Sequence, residues 1–256
     1  MVKNIISWVI RKVPRRHLQL FSHHVLKVAA ILYRGNKVSC PVCNHSFRKF
    51  LPYGRKAREN ALCPNCLALE RHRLMYLFLQ RKTPFFIKPL KVLHIAPELC
   101  FIHRFEQQQN LDYITADIES PLAKVKMDVH QIPFEEATFD VVFCNHVLEH
   151  VTNDLQAMQE MHRILKPGGW GIMQIPLFHP LPEVTYEDFS ITTPAGREKA
   201  FGQDDHVRLF GKDYPDRLRS AGFKVTEDWL ARELPPEEQT RYALPQEPVY
   251  FVEKRG

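Results

Sequence analysis

Four cysteines carry the plainest chemistry in this chain. Cys40-Pro-Val-Cys43 and Cys63-Pro-Asn-Cys66 are separated by 19 residues. Two Cys-x-x-Cys turns at this spacing can present four thiolates to one metal ion at ~2.3 Å. All four positions are then filled, with none left for water, so the zinc expected on Cys40, Cys43, Cys63 and Cys66 is structural. Such an ion holds together a module too small to bury a good core by itself. An iron–sulfur cluster or redox-active thiol pairs use the same residue types. His45 and His72 flank the knuckles and read as surface histidines, since four cysteines already complete a shell.

A second polar group follows the apolar run Phe139-Asp-Val-Val-Phe-Cys-Asn145. After it come His146 and the wording Leu148-Glu-His-Val151, then an amphipathic stretch, then Arg163-Ile-Leu-Lys-Pro-Gly-Gly169. This reads as a buried strand, a polar loop, a helix, and a turn into another strand. Open α/β sheets bind ligands at such carboxyl ends of strands.

The elements that must position these groups follow from periodicity. From Leu90 onward, strand and helix patterns alternate, which predicts a parallel sheet with covering helices. Strands are expected at 91–96, 112–117, 124–129, 139–145, 171–176, 223–229 and 249–253, and helices at 98–108, 153–165 and 214–221. Residues 177–210 are rich in proline, histidine and aromatics and read as an irregular lid, since loops of that length are usually functional. The predicted organisation is therefore basic amphipathic helices over 1–35, the cysteine module over 36–70, a connecting helix and linker over 71–88, and an α/β domain over 89–256.

Charge is divided sharply along the chain. Residues 1–90 hold 18 Lys/Arg against only Glu59 and Glu70, whereas the remainder holds 17 Lys/Arg and 27 acids. That asymmetry points the N-terminal region toward an anionic partner, either RNA or an anionic membrane surface on which the helices at 2–13 and 18–32 would lie. Phe47 to Arg58 interleaves aromatics with cations and can track phosphates, or form a solvated basic ribbon. No run approaches the ~18 apolar residues of a membrane span, and no secretory signal is recognisable. A reducing cytoplasmic location, or a peripheral one at the membrane, is expected; the acid-free start also has a transit-peptide-like bias.

The region from residue 89 onward resembles the class I S-adenosylmethionine-dependent methyltransferases of the type 11 branch. The likeness rests on Phe139–Val151 with its Pro-Gly-Gly sequel, on Tyr113-Ile-Thr-Ala-Asp117, and on Asp128-Val-His-Gln-Ile-Pro-Phe134. It implies a Rossmann-like open sheet binding S-adenosyl-L-methionine. In this likeness Asp117 takes the ribose hydroxyls, Asp128 meets the adenine amino group, and Val129 offers its backbone N–H. Asn145 and His146 line the pocket near the reacting methyl. The family's acidic residue with Gly-x-Gly is replaced by His94-Ile-Ala-Pro-Glu98, which contains no glycine, so this loop must be shaped differently. Glu98 is then the nearest carboxylate for the cofactor's ammonium group, or simply an acid in the first helical turn.

Methyl transfer chiefly needs orientation, with a general base when the acceptor is a hydroxyl. His146 and His206 are the candidate bases. Arg208, close to His206, either holds an anionic acceptor or pins the lid. No Asn/Asp-Pro-Pro-Tyr/Phe follows the strand ending at Asn145, and no Pro-Cys dipeptide exists. The acceptor expected is a small molecule or glycan, methylated on oxygen or nitrogen. The combination with a basic zinc module also looks like ribosomal or transfer RNA methyltransferases, and a non-catalytic adaptor with a degenerate domain is a third reading.

Overall fold

The computed structural model describes residues 30–54 and 57–256. The basic helices expected at 2–13 and 18–32 lie outside the described residues, apart from residues 30–32, which are helical. The chain forms two compact units. The first takes the described residues up to Thr83 together with Leu99–Arg104 and Ala231–Gln246, and the second takes Pro84–Glu98, Phe105–Leu230 and Glu247–Gly256. Two pieces of the 89–256 stretch thus fold with the first unit.

In the first unit, β1 (Arg34–Cys40) pairs antiparallel with β2 (His45–Phe47), and β3 (Leu51–Tyr53) with β4 (Arg58–Leu62). Helix α1 (Glu70–Lys82) follows and buries Leu74 through Leu79. His72 is buried rather than on the surface, and its Nδ1 accepts the Leu69 N–H at 3.1 Å, capping the start of α1. His45 is exposed, with its ring 2.7 Å from the Cys43 carbonyl.

Arg73 organises this unit. Its side chain is fully buried, with the guanidinium 4.1 Å over the Phe50 ring. It donates to the carbonyls of Asn60, Ala61 and Ala68, and to those of Tyr242 and Ala243. Five carbonyls answer one planar cation, so the buried charge is fully hydrogen-bonded.

The second unit is built on a seven-stranded sheet. Its members are β5 (Leu90–Ile95), β6 (Leu111–Asp117), β7 (Val125–Lys126), β8 (Phe139–Asn145), β9 (Leu165–Gln174), β12 (Lys224–Asp228) and β13 (Val249–Glu253), in the order β12-β13-β9-β8-β5-β6-β7. Strands β5 to β9 are parallel, and β13 runs antiparallel to both β9 and β12. This is the expected open α/β sheet. β8 is buried along nearly its whole length because both faces are covered, which is why its sequence is an almost unbroken apolar run. One face carries a cluster including Leu93, Val142, Met158, Met161 and Tyr214. The other carries an aromatic set in which Phe85 meets Phe105, Phe143 and Trp170.

Helix α2 (Leu99–Glu106) follows β5, and its first six residues group with the first unit. α3 (Asp154–Ile164) starts where the Asn153 side chain accepts the Gln156 N–H, and it buries Ala157, Met158, Met161 and Ile164. β9 begins at Leu165, earlier than expected, because Leu165 already pairs with Phe139 and the Pro-Gly-Gly turn is absorbed as an irregularity. Gly171 lets β9 approach β8 closely: a Cβ there would sit 2.5 Å from the Val142 carbonyl oxygen.

The stretch 177–210, expected to be an irregular lid, lies mostly outside regular structure but contains short elements. It holds β10 (Tyr186–Glu187), α4 (Pro194–Phe201) and β11 (Arg208–Leu209), with β10 and β11 paired. Helix α5 (Tyr214–Ser220) follows in the second unit. Short helices α6 (Leu230–Glu233) and α7 (Pro236–Tyr242) were not expected from the sequence. Among the described residues no helix is long and apolar enough to cross a membrane.

Candidate functional site

Three parallel strands end side by side. Ile95 of β5 pairs with Ala116 of β6 and with Cys144 of β8. Ala96, Asp117 and Asn145 therefore stand in one row where the chain leaves the sheet. The sheet order reverses here, since β5 continues to β6 on one side and has β8 on the other, and this is the place where open sheets bind ligands.

The glycine-free loop makes its sharp turn at an alanine: Ala96 has φ of 50°, a conformation uncommon for residues with a Cβ. His94 points into the protein with no exposure; its Nδ1 lies 2.7 Å from the Tyr113 hydroxyl and its Nε2 2.5 Å from a Glu98 carboxylate oxygen. The other Glu98 oxygen accepts from Asn145 Nδ2 at 3.1 Å. Glu98 is thus fixed from two sides at the mouth of the row, with its side chain 15% exposed.

Asp117 uses Oδ1 to accept the N–H groups of Glu119 and Ser120, both at 2.7 Å, which shapes the loop after β6. Its second oxygen meets no partner among the described residues. Asp128 lies half-exposed beyond β7. Its Oδ1 takes the His130 backbone N–H at 2.9 Å and the His130 ring at 2.7 Å, and these bonds, the backbone one first, hold its carboxyl below the usual range. His130 accepts the Asn153 N–H through Nε2 at 3.2 Å, tying this loop to the start of α3. The Val129 side chain is buried in the apolar cluster.

At the end of β8, His146 takes φ of 56°, which turns its side chain out of the strand while its N–H bonds the Gln174 carbonyl at 2.8 Å. Its Nδ1 is 3.5 Å from Glu149 Oε1. Glu149 is 1% exposed, and its Oε2 has no hydrogen-bond partner. Burial pushes the Glu149 pKa up, but His146 and His150 outweigh it and hold the carboxyl below its ordinary range.

His206 is equally buried. Its Nδ1 meets the Phe201 carbonyl at 3.1 Å, its Nε2 has no partner, and burial lowers its pKa. The two base candidates thus lie on either side of Glu149, a residue the sequence reading did not single out although it stands in the quoted Leu-Glu-His-Val wording.

Arg208 pins the lid. It is buried, and it donates to the carbonyls of Leu148, Val151 and Thr152 and to the Glu187 carboxylate. Four of its five N–H groups are thus bonded to the protein and the side chain is 1% exposed, which favours the pinning role over an anionic acceptor. Glu187 also meets Arg217, which makes a two-point contact with Asp154 at 2.9 and 2.8 Å.

In the first unit the four cysteines converge. Sγ–Sγ separations are 3.6 Å for Cys40–Cys66 and 3.8 Å for Cys43–Cys63, and none forms a disulfide. A tetrahedral ion at ~2.3 Å from each sulfur requires sulfurs about 3.8 Å apart, so the cluster can accept a metal without rearrangement. The two knuckles share one geometry. Asn44 (φ 57°) and Leu67 (φ 64°) directly follow the second cysteine of each pair, and their N–H groups bond the carbonyls of Cys40 at 2.8 Å and Cys63 at 3.0 Å.

Comparison with known proteins places these features in context. Residues 92–173 match the family model for the type 11 methyltransferases, described as a methyltransferase domain. A mouse mitochondrial 2-methoxy-6-polyprenyl-1,4-benzoquinol methylase is 46% identical over 115 residues, covering 40% of this chain and 35% of its own. An uncharacterised 37.1 kDa protein in a transposon of Streptomyces fradiae is 33% identical over 108 residues, covering 41% and 30%. The Coxiella burnetii ubiquinone/menaquinone biosynthesis C-methyltransferase is 39% identical over 49 residues, covering 19% and 20%. The chain thus spans between 20% and 35% of the length of these curated relatives. A solved structure of a Burkholderia thailandensis 1,6-didemethyltoxoflavin-N1-methyltransferase aligns over 66% of this chain and 72% of that one, at 17% identity and a TM-score of 0.43. Over residues 92–173, about a third of its length, this chain is thus similar to the type 11 methyltransferase domain.

Proposed function

We propose that the protein is an S-adenosylmethionine-dependent methyltransferase acting on a small-molecule or glycan acceptor. The observation that carries this reading is the row Ala96, Asp117, Asn145 with Glu98 held at its mouth, set at the point where the sheet order reverses. The donor set fits the cofactor. Asp117 keeps one oxygen for the ribose hydroxyls, and Glu98 offers a partly exposed carboxylate to the ammonium group. Asp128 and the Val129 N–H would hold the adenine. When bound, S-adenosylmethionine supplies an electrophilic methyl on sulfur.

The protein's own part is positioning and proton transfer. Asn145 and His94 hold Glu98 in one orientation. His146 would take the proton of an acceptor hydroxyl, steadied by the ionised Glu149 beside it. His206, the other candidate base, is more deeply buried. The groups at the β8 exit are recessed, with His146 24% exposed and Glu149 almost wholly covered, which supports an acceptor presenting a small group. The cysteine cluster would hold a structural zinc ion, with all four positions filled.

Calorimetric titration with S-adenosylmethionine tests the reading; absence of binding at millimolar cofactor sinks it. The RNA reading draws on the exposed cations of the first unit, among them Arg48, Lys49 and Arg58. A steep loss of RNA binding between low and physiological salt would favour it.

A further inference from the structure

Three side chains able to ligate a metal ion converge in the second unit. Ligand atoms of Glu149, His150 and His206 all lie within 4.8 Å of one another. Glu149 Oε2 and His206 Nε2 belong to side chains that are each 1% exposed, and neither atom has a hydrogen-bond partner. An orphaned buried carboxylate oxygen is costly, and here the nearby His206 ring nitrogen is also without a partner.

The Nδ1 atoms of both histidines are engaged with backbone carbonyls. A carbonyl only accepts, so the ring nitrogen facing it must bear the proton. His206 Nδ1 faces the Phe201 carbonyl at 3.1 Å, and His150 Nδ1 faces the Asp205 carbonyl at 3.2 Å. In the neutral rings Nε2 is then the nitrogen left to ligate, and His150 Nε2 lies 3.9 Å from Glu149 Oε1. A ring N–H anchored on a backbone carbonyl is the usual way a metal-binding histidine is oriented. The rings meet edge to face, with centroids 4.8 Å apart. The backbone supports the arrangement as well, since the Val207 N–H bonds the Glu149 carbonyl at 2.9 Å.

We infer that Glu149, His150 and His206 form a binding site for one divalent first-row transition-metal ion. Two imidazoles and one carboxylate suit manganese, iron, cobalt or zinc and disfavour calcium. Neighbouring ligands on a tetrahedral ion at ~2.0–2.1 Å lie about 3.4 Å apart, so side-chain shifts of up to about 1.5 Å close a set that now lies within 4.8 Å. Three protein ligands leave positions open, in contrast to the four-cysteine cluster. His150 is the exposed member, and both it and His146 approach Glu149 Oε1, at 3.9 and 3.5 Å. On the methyltransferase reading, which this step alone requires, the ion would hold an acceptor oxygen and lower the pKa of its hydroxyl. The proton passes to His146, the oxygen–methyl bond forms as the sulfur–methyl bond breaks, and neutral S-adenosylhomocysteine leaves.

The test uses the full chain with its cysteine site loaded with zinc, titrated with Co²⁺ and followed by visible absorption. The site predicts one further ion per chain, with weak d–d bands and no thiolate charge-transfer band. Glu149→Gln and His206→Gln preserve shape, and each should weaken that ion by more than the ~10–100-fold cost of losing an outer partner, while melting temperature without added metal confirms folding. No second ion in the wild type, or equal affinity in folded variants, overturns the site. Calorimetry with S-adenosylmethionine is run in parallel. A chain that takes cobalt but no cofactor keeps the site and loses the methyltransferase reading, and a chain that binds cofactor but no cobalt does the reverse.

Discussion

The described residues contain two convergent sets of side chains able to ligate a metal ion, and they differ in how complete they are. In the first unit, four sulfurs stand in opposed pairs 3.6 and 3.8 Å apart, held by two knuckles of the same backbone geometry. The buried cation of Arg73 lies nearby: burial lowers its pKa, while Cys40, Glu70, Cys63 and Cys66 favour its ionised form. In the second unit, one carboxylate and two imidazoles come together asymmetrically from a loop and a lid, with one member exposed. A closed, charge-compensated set is suited to holding a fold, and an open one to meeting a ligand. Shell completeness thus separates structure from function more clearly than residue type does.

The largest expected effect breaks the closed set. Cys63→Ser should abolish zinc binding and with it most of the folding free energy of the first unit, since structural zinc contributes roughly 10–16 kcal/mol in small modules. Native mass spectrometry should show loss of that ion, and limited proteolysis should open residues 34–82. A folded, metal-free variant would remove the contrast between the two sets.

Next comes Arg73→Met, which leaves five carbonyls without their donor. A loss of about 3–5 kcal/mol is expected, as for breaking a buried ionic contact. Arg73→Lys should rescue little, because an ammonium has three donors and no planar fork. Denaturant unfolding measures both.

Asp117→Asn sharpens the comparison from the other side, because an open set is useful only beside a bound methyl donor. Converting one carboxylate oxygen to an amide should weaken S-adenosylmethionine by about 10–100-fold, the worth of a hydrogen bond to a charged group. Calorimetry reads it, and unchanged affinity would separate the row at the β5 exit from the cofactor.

The smallest effect concerns acid stability in the second unit. Glu160 lies in the Arg163 fork at 2.7 and 2.8 Å and accepts the Ile132 N–H, and its pKa is lowered first by Arg163. A depressed folded-state pKa gives stability that is present above the ordinary carboxylate range and lost as pH falls through the folded value. Glu160→Gln should therefore flatten the acid limb of a stability–pH profile and matter little below it. An unchanged limb would show that this pair is inert.

Much of this architecture is legible in residue types, and the exceptions have physical causes. β8 and α3 announce themselves because burial on both faces, or on one stripe, imposes an apolar period. Helix α4 has a readable start and stop in Thr193-Pro194 and Gly202, yet its composition hides it. α7 buries none of its residues, so it leaves no periodic trace. The grouping of 231–246 with the first unit is carried partly by carbonyls of Tyr242 and Ala243, groups every residue possesses. The cysteine cluster is legible because its ligands lie in two short repeats. Glu149 and His206 are 57 positions apart, and nothing in their local wording marks them as neighbours.

The reach of Arg73 to residues 242 and 243 also sets an order of events during synthesis. A chain emerging from the ribosome can fold the cysteine hairpins early, but this arginine must wait for residues that lie 169 and 170 positions further on before its last partners arrive. Until then a desolvated cation lacks two of its acceptors. The first unit to be translated is therefore among the last to be finished, and a fragment ending before residue 231 cannot reproduce it.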